Sequence, residues 1–200
     1  ELDAARIIHE MFNRAGTVSI GYNSLSFDDE FLRFMFYRNL LAPYTHQFNN
    51  GCGRADLFPI TIIYYLFHNE IMQWQNAAGE ASLKLENLGN LNGFFEGEAH
   101  SALHDTYASF KMARLFRDKQ PKTWEYLLGR FNKDADRDEI TKLREEGALK
   151  NKPVVAYAVD SRYGYAKHFT GLVLGIGESL AYQKQTLLIP MDSGHLQENT

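Results

Sequence analysis

An imidazole stands five residues ahead of a carboxylate in His100-Ser-Ala-Leu-His-Asp105, at the start of a long apolar-periodic run. A second acidic entry, Phe27-Asp28-Asp29-Glu30, opens another such run upstream. Separated carboxylates hold hard divalent cations, and an imidazole with a near-neutral pKa takes a proton from water. Together they are the inventory of metal-dependent hydrolysis. At 3.6 residues per turn, five positions rotate a helical side chain by about 140°. His100 is therefore expected in the loop ahead of a helix, with Ser101 near its cap. Asp105 then falls in the first turns, on one stripe with Ala108, Met112, Leu115 and Phe116.

Residues 28, 31, 32 and 35 follow the i, i+3, i+4, i+7 rule, which predicts that Asp28 heads the buried face of its helix. A buried carboxylate is costly unless paired or bound to metal. Asp29, four residues before Arg33, reads as a surface ion pair. The plainer alternative makes Asp28 a helix cap and His100 a loop histidine. His104 competes with His100 for the role of base, but its place next to Asp105 on a helix turns it elsewhere.

The surroundings of these residues resemble a known family. Gly21-Tyr22-Asn23, Phe27-Asp28-Asp29-Glu30 and Phe36-Tyr37-Arg38-Asn39 are similar to the second acidic motif of bacterial exodeoxyribonuclease I. Ser82-Leu-Lys-Leu-Glu-Asn-Leu88 with Asn92-Gly93 resembles the stretch before the third motif. His100-x-Ala102-x-x-Asp105 matches the His-x-Ala-x-x-Asp signature of the DEDDh exonuclease superfamily. The resemblance runs from about residue 5 to residue 130. It implies an α/β, RNase H-like core and 3′-5′ hydrolysis of single-stranded DNA to nucleoside 5′-monophosphates. It further implies two Mg²⁺ ions (or Mn²⁺), with Asp28 and Asp105 as ligands and His100 as general base. Lys84, Asn23 and Arg54 are the candidate nucleic-acid contacts, and single-stranded DNA-binding protein is the family-level partner. Related oligoribonucleases act on short RNA, and a catalytically inactive binding module is the rival from another class.

The superfamily begins with an Asp-x-Glu pair on the first strand of its sheet. Here the chain opens on Glu1-Leu-Asp-Ala-Ala-Arg-Ile-Ile-His-Glu-Met-Phe12, an amphipathic pattern. The resemblance thus implies that the first three strands lie upstream, and the chain reads as part of a longer polypeptide.

These residues need elements to position them. The pattern predicts helix over 4–15, strand over 17–22 and helix over 28–41. It places a turn at Asn49-Asn-Gly-Cys-Gly53, an apolar run over 57–72, a loop at 75–81 and a helix at 82–91. The helix after Asp105 reaches about residue 118, and Pro121 starts another. Charge-rich 132–152 reads as a connector. Beyond it the period changes to two, in 154–159, 170–174 and 185–189. That gives a partial exonuclease domain at 1–131, a connector at 132–152 and the start of an SH3-like β domain at 153–200.

Composition bounds the rest. The 200 residues have 44% hydrophobic and 14% aromatic content, enough for a packed core. Cys52 is the only cysteine, which excludes an internal disulfide and favours a reducing, cytoplasmic setting. No apolar run approaches a membrane span, and we expect a monomer. The net charge of −4 does not advertise a nucleic-acid binder, yet basic residues cluster at Arg114, Arg117, Lys119 and Lys122 and again at Lys142–Lys152. A solvated helix face with alternating signs is the plainer reading of both clusters. Tyr64, Tyr65, Phe67 and Trp74 offer rings for base stacking, worth about 1–3 kcal/mol per base, or for a core. His9-Glu10 lacks a zincin's second histidine, and Gly175-x-Gly177 lacks the third glycine of a dinucleotide site.

Overall fold

The computed structural model describes residues 1–25, 27–95, 102–146, 154–182 and 185–191. The chain divides into two compact units, Glu1–Phe131 and Asn132–Thr200.

In the first unit, α1 (Leu2–Phe12) leads to β1 (Val18–Gly21), α2 (Asp28–Arg38) and β2 (Gly53–Asp56). β1 and β2 pair in parallel, with Ser19 opposite Arg54 and Gly21 opposite Asp56. Parallel strands need a crossover between them, and α2 supplies it. One face of α1 packs on α2 through Ala5, Met35 and Phe36, with Ile8, Leu32 and Leu41 around them. The helix expected to reach residue 41 stops at Arg38, because Asn39 caps it and Leu40 takes a φ of 57°. The Asn39 side chain donates to the Met35 carbonyl at 2.8 Å.

β2 is the strand that the pattern did not announce. Gly-Arg-Ala-Asp is too short and too poor in β-branched residues to show a period of two. Asp56 ends it and caps α3 (Leu57–Phe67), accepting the Phe58 N–H at 2.9 Å. This helix fills the apolar run only to Phe67, after which a 3₁₀ turn spans Asn69–Ile71. α4 (Leu85–Leu91) starts three residues later than expected, behind Ser82, whose hydroxyl accepts from the Asn87 side chain at 2.7 Å.

α5 (Ala102–Lys119) buries Ala108, Met112 and Phe116, the stripe read from the sequence. α6 (Pro121–Gly129) follows, with Pro121 in its first turn and Trp124 buried. Tyr64 joins α3 to this pair: its ring stacks on Phe116 at 4.1 Å, and its hydroxyl lies 3.2 Å from the carbonyls of Phe116 and Gln120. Burial pushes the Tyr64 phenol up to about 12. Tyr64 and Trp74 are thus core residues, with Trp74 edge-on to Tyr65. Phe67 alone among the four rings considered for stacking is largely exposed.

In the second unit, the stretch expected as a connector contains α7 (Lys133–Glu146). Its early acids suit a helix N-terminus, and Lys142 sits 3.9 Å from Glu139 at i, i+3. β3 (Val154–Val159), β4 (Thr170–Glu178) and β5 (Thr186–Pro190) form an antiparallel sheet in the order β3-β4-β5. β4 runs past the expected 174 through a register shift between Gly175 and Gly177, where Gly177 takes a φ of 129°. Phe169, just before β4, and Val173 within it are buried, and the Tyr165 ring meets Phe169 edge-on.

Candidate active site

A cleft of about 710 Å³ opens in the first unit between β1, the first turns of α2 and the first turns of α5. Its walls are mostly apolar, with Ile20, Phe31, Leu32, Leu57 and Phe110 among them. Asp28 from α2 and Asp105 from α5 both line it. Residues more than seventy positions apart in sequence therefore present their carboxylates to one space, and both are solvent-exposed. Low-dielectric walls around two anions favour a cation between them.

The local chain explains how each acid arrives there. Asp105 lies one turn before Ala108 on the stripe that docks α5, so packing of Ala108, Met112 and Phe116 fixes its direction. Asp28 is placed by a turn. The Asp56 carboxylate, only 3% exposed, accepts the backbone N–H of Asn23 at 2.7 Å, of Leu25 at 3.2 Å and of Phe58 at 2.9 Å. Asn23, at a φ of 56°, turns the chain out of β1. The Ser24 carbonyl then accepts the N–H groups of Phe27 at 3.3 Å and Asp29 at 3.0 Å, which seats the start of α2.

The buried face of α2 differs from the expected one. Asp29, Met35 and Phe36 are buried, while Asp28 and Phe31 are exposed; Asp28, Asp29 and Phe31 all border the cleft. Asp28 therefore does not head the buried face; Asp29 does. Nor does Asp29 form a surface pair with Arg33. Arg33 pairs with Glu30, and Asp29 accepts a hydrogen bond from Nη1 of Arg54, reaching across from β2. One residue of helical rotation separates the two readings, and the burial of Asp29 with a cation from another element decides between them.

Of the other residues singled out, Lys84 is exposed at the N-cap of α4, beside Leu85 of the cleft wall. Asn23 is exposed in its turn, and Arg54 has its guanidinium against Asp29. His104 is half-buried on α5. His100 and Ser101 lie outside the described residues. Among the described residues no three His, Cys, Asp or Glu side chains gather closely enough to hold a metal by themselves. Asp28 and Asp105 fit a hard divalent cation in donor type, as two members of a larger oxygen set.

Two features were missed in the sequence. Asp56 was legible as an N-cap, an Asp directly before an apolar run. His46 carried no signal: it is 2% exposed, rings from Phe12 and Phe36 surround it, and neither ring nitrogen has a hydrogen-bond partner among the described residues. Burial pushes its pKa below the ordinary histidine value, against the opposing pull of Asp29.

No protein-family model matches the chain. Exodeoxyribonuclease I of Haemophilus influenzae is 37% identical over 147 residues, which are 73% of this chain and 30% of that protein. The structure of E. coli Exonuclease I in complex with a dA16 oligonucleotide matches 98% of the chain at a TM-score of 0.80 and 29% identity, over 43% of its own length. A moderately thermophilic Exonuclease I from Methylocaldum szegediense matches 100% of the chain at a TM-score of 0.82 and 28% identity, over 41% of its own. The chain thus spans less than half the length of the relatives it matches, and its mixed α/β fold corresponds to that part of them. In sequence and in fold alike, over both of its units, this chain belongs to the exodeoxyribonuclease I family.

Proposed function

We propose that the full-length protein is a 3′-5′ exonuclease that releases nucleoside 5′-monophosphates from single-stranded DNA by metal-assisted phosphodiester hydrolysis. The observation that carries this reading is the convergence of Asp28 and Asp105 on one cleft. The family relationship supports it, since the matched E. coli Exonuclease I is in complex with a dA16 oligonucleotide.

Asp28 and Asp105 would hold Mg²⁺, or Mn²⁺ in its place, two ions being the reading that the motif pattern supports. Bound divalent metal neutralises charge on the scissile phosphate and makes the attacking water more acidic. The chain's own residues do the rest. His100 takes the proton of the attacking water at a ring nitrogen, a role that the ordinary near-neutral pKa of an imidazole suits. Ile20, Phe31 and Phe110 line the cleft with exposed apolar surface, and a bound strand covering it would exclude water from around the two carboxylates. Lys84, exposed beside the cleft, neutralises a backbone phosphate of the incoming strand. The protein acts as a cytoplasmic monomer, with single-stranded DNA-binding protein as its partner on DNA.

The test is a 5′-labelled single-stranded DNA digested by the full-length protein with Mg²⁺. Stepwise shortening from the 3′ end with release of 5′-mononucleotides is expected. Asp28→Ala should abolish it and leave binding of the strand intact. Preference for short RNA over DNA, or strand binding without cleavage, would overturn the reading.

A further inference from the structure

We infer that Asp29 and Arg54 form a positioning pair that holds Asp28 in the cleft; this rests on the exonuclease reading above. Asp28 is exposed where it lines the cleft, so its direction depends on what fixes the first turn of α2. Phe27 at the N-cap has no side-chain capping bond. The neighbouring acid does the fixing. The Asp29 side chain is 9% exposed and the Arg54 side chain 27%, and the guanidinium donates to Oδ2 of Asp29 across 25 residues of chain.

Geometry ties that pair to the cleft on both sides. Arg54 stands opposite Ser19 in the parallel ladder, and Ser19 lines the cleft. Two residues on, Asp56 of the same strand grips the turn that enters α2. β2 therefore holds the start of α2 by backbone through Asp56 and by side chain through Arg54. A rotation of α2 that moved Asp28 out of the cleft would draw Asp29 off Arg54 and leave both charges half-desolvated, which the fold resists. Arg54 acts through Asp29 and needs no contact with the nucleic acid.

The experiment uses the full-length protein with Asp29→Asn, Arg54→Ala and the two combined. Outer residues that orient a metal ligand typically contribute ~10–100-fold in metal affinity or activity. Each single variant should lose that much in turnover and in Mn²⁺ affinity measured by calorimetry, with the dissociation constant for single-stranded DNA unchanged. The combined variant should be no worse than the worse single one, since both remove the same interaction. Arg54→Lys should recover part of the loss.

If Arg54→Ala instead weakens DNA binding and lowers its log–log salt slope by about 1 while Asp29→Asn is silent, Arg54 is a phosphate contact and the inference fails. Should the neutral variants lose their cooperative melt, Asp29→Glu with Arg54→Lys keeps both charges and displaces the acid. Full turnover and Mn²⁺ affinity in that folded variant overturn the inference. A wild type that leaves DNA intact, while the single variants still weaken its Mn²⁺ affinity, defeats the exonuclease reading alone; unchanged Mn²⁺ affinity in the single variants defeats the pair.

Discussion

The roles proposed for Asp28 and Asp105 follow from where each sits, at the start of a helix whose later turns are buried. The helix supplies direction and the first turn supplies exposure, so the carboxylates meet solvent while their helices stay anchored. The same logic separates the two histidines near Asp105. His104 lies within α5 and His100 precedes it. A general base contributes about 10²–10⁴-fold, so His100→Ala should lower single-turnover rate by that range and His104→Ala should change it little. Equal losses at saturating DNA would contradict the assignment by spacing. At this scale the sequence disclosed the acids but not their neighbours. A helical stripe through 28, 31, 32 and 35 and one through 29, 32, 35 and 36 share two of their four positions. Arg54 from β2 and the packing of α1 on Met35 and Phe36, both contributed by other elements, select the second.

At the scale of elements, the chain is legible where a period runs long and illegible where a short strand borrows its stability from contacts. α1, α2, α5 and α6 and the strands of the second unit follow their patterns within a few residues. β2, four residues long, exists because β1 and α3 hold it. Asp56 is the joint. Its carboxylate serves three backbone N–H groups from two elements, so Asp56→Ala leaves those donors unsatisfied in a buried place. A loss at or above about 2 kcal/mol, the upper range for a helix cap, is expected as a lower urea midpoint at unchanged slope. His46 makes these elements acid-sensitive. Its folded pKa is lowered by burial, so protonation favours the unfolded chain. Stability is then complete above the ordinary histidine value of 6.5 and is lost as pH falls toward the lower folded value. Around the ring, Asp29 favours the charged form, whereas His9, Arg33 and Arg54 oppose it. His46→Phe, which keeps the ring packing on Phe12 and Phe36, should flatten the fall in melting temperature between pH 7 and pH 5. A variant with the wild-type slope would remove His46 from that role.

For the whole molecule, the unusual feature is the apolar surface that the first unit leaves open. β1 hydrogen-bonds to β2 and to no other strand among the described residues, and a two-stranded sheet is marginal in water. Val18 is 48% exposed, Phe31 60% and Phe110 59%, in or beside the cleft that contains Asp28 and Asp105. Contiguous exposure of that kind marks a surface that takes a partner or a further segment. Apolar burial contributes about 25 cal/mol per Å², against a net folding free energy of about 5–15 kcal/mol, so the open face matters to the balance. The 200 residues expressed alone should therefore bind a hydrophobic dye and melt over a broad range. Mg²⁺ should not raise the midpoint, because ligand stabilisation requires a site that binds in the folded state, and the described residues gather no three metal donors. Circular dichroism, dye fluorescence and calorimetry with and without Mg²⁺ measure each part. A sharp melt without dye binding would show that the open face costs little. A midpoint that climbs with Mg²⁺ would show that Asp28 and Asp105 complete a metal site within this chain, and the larger oxygen set inferred for it would then be wrong.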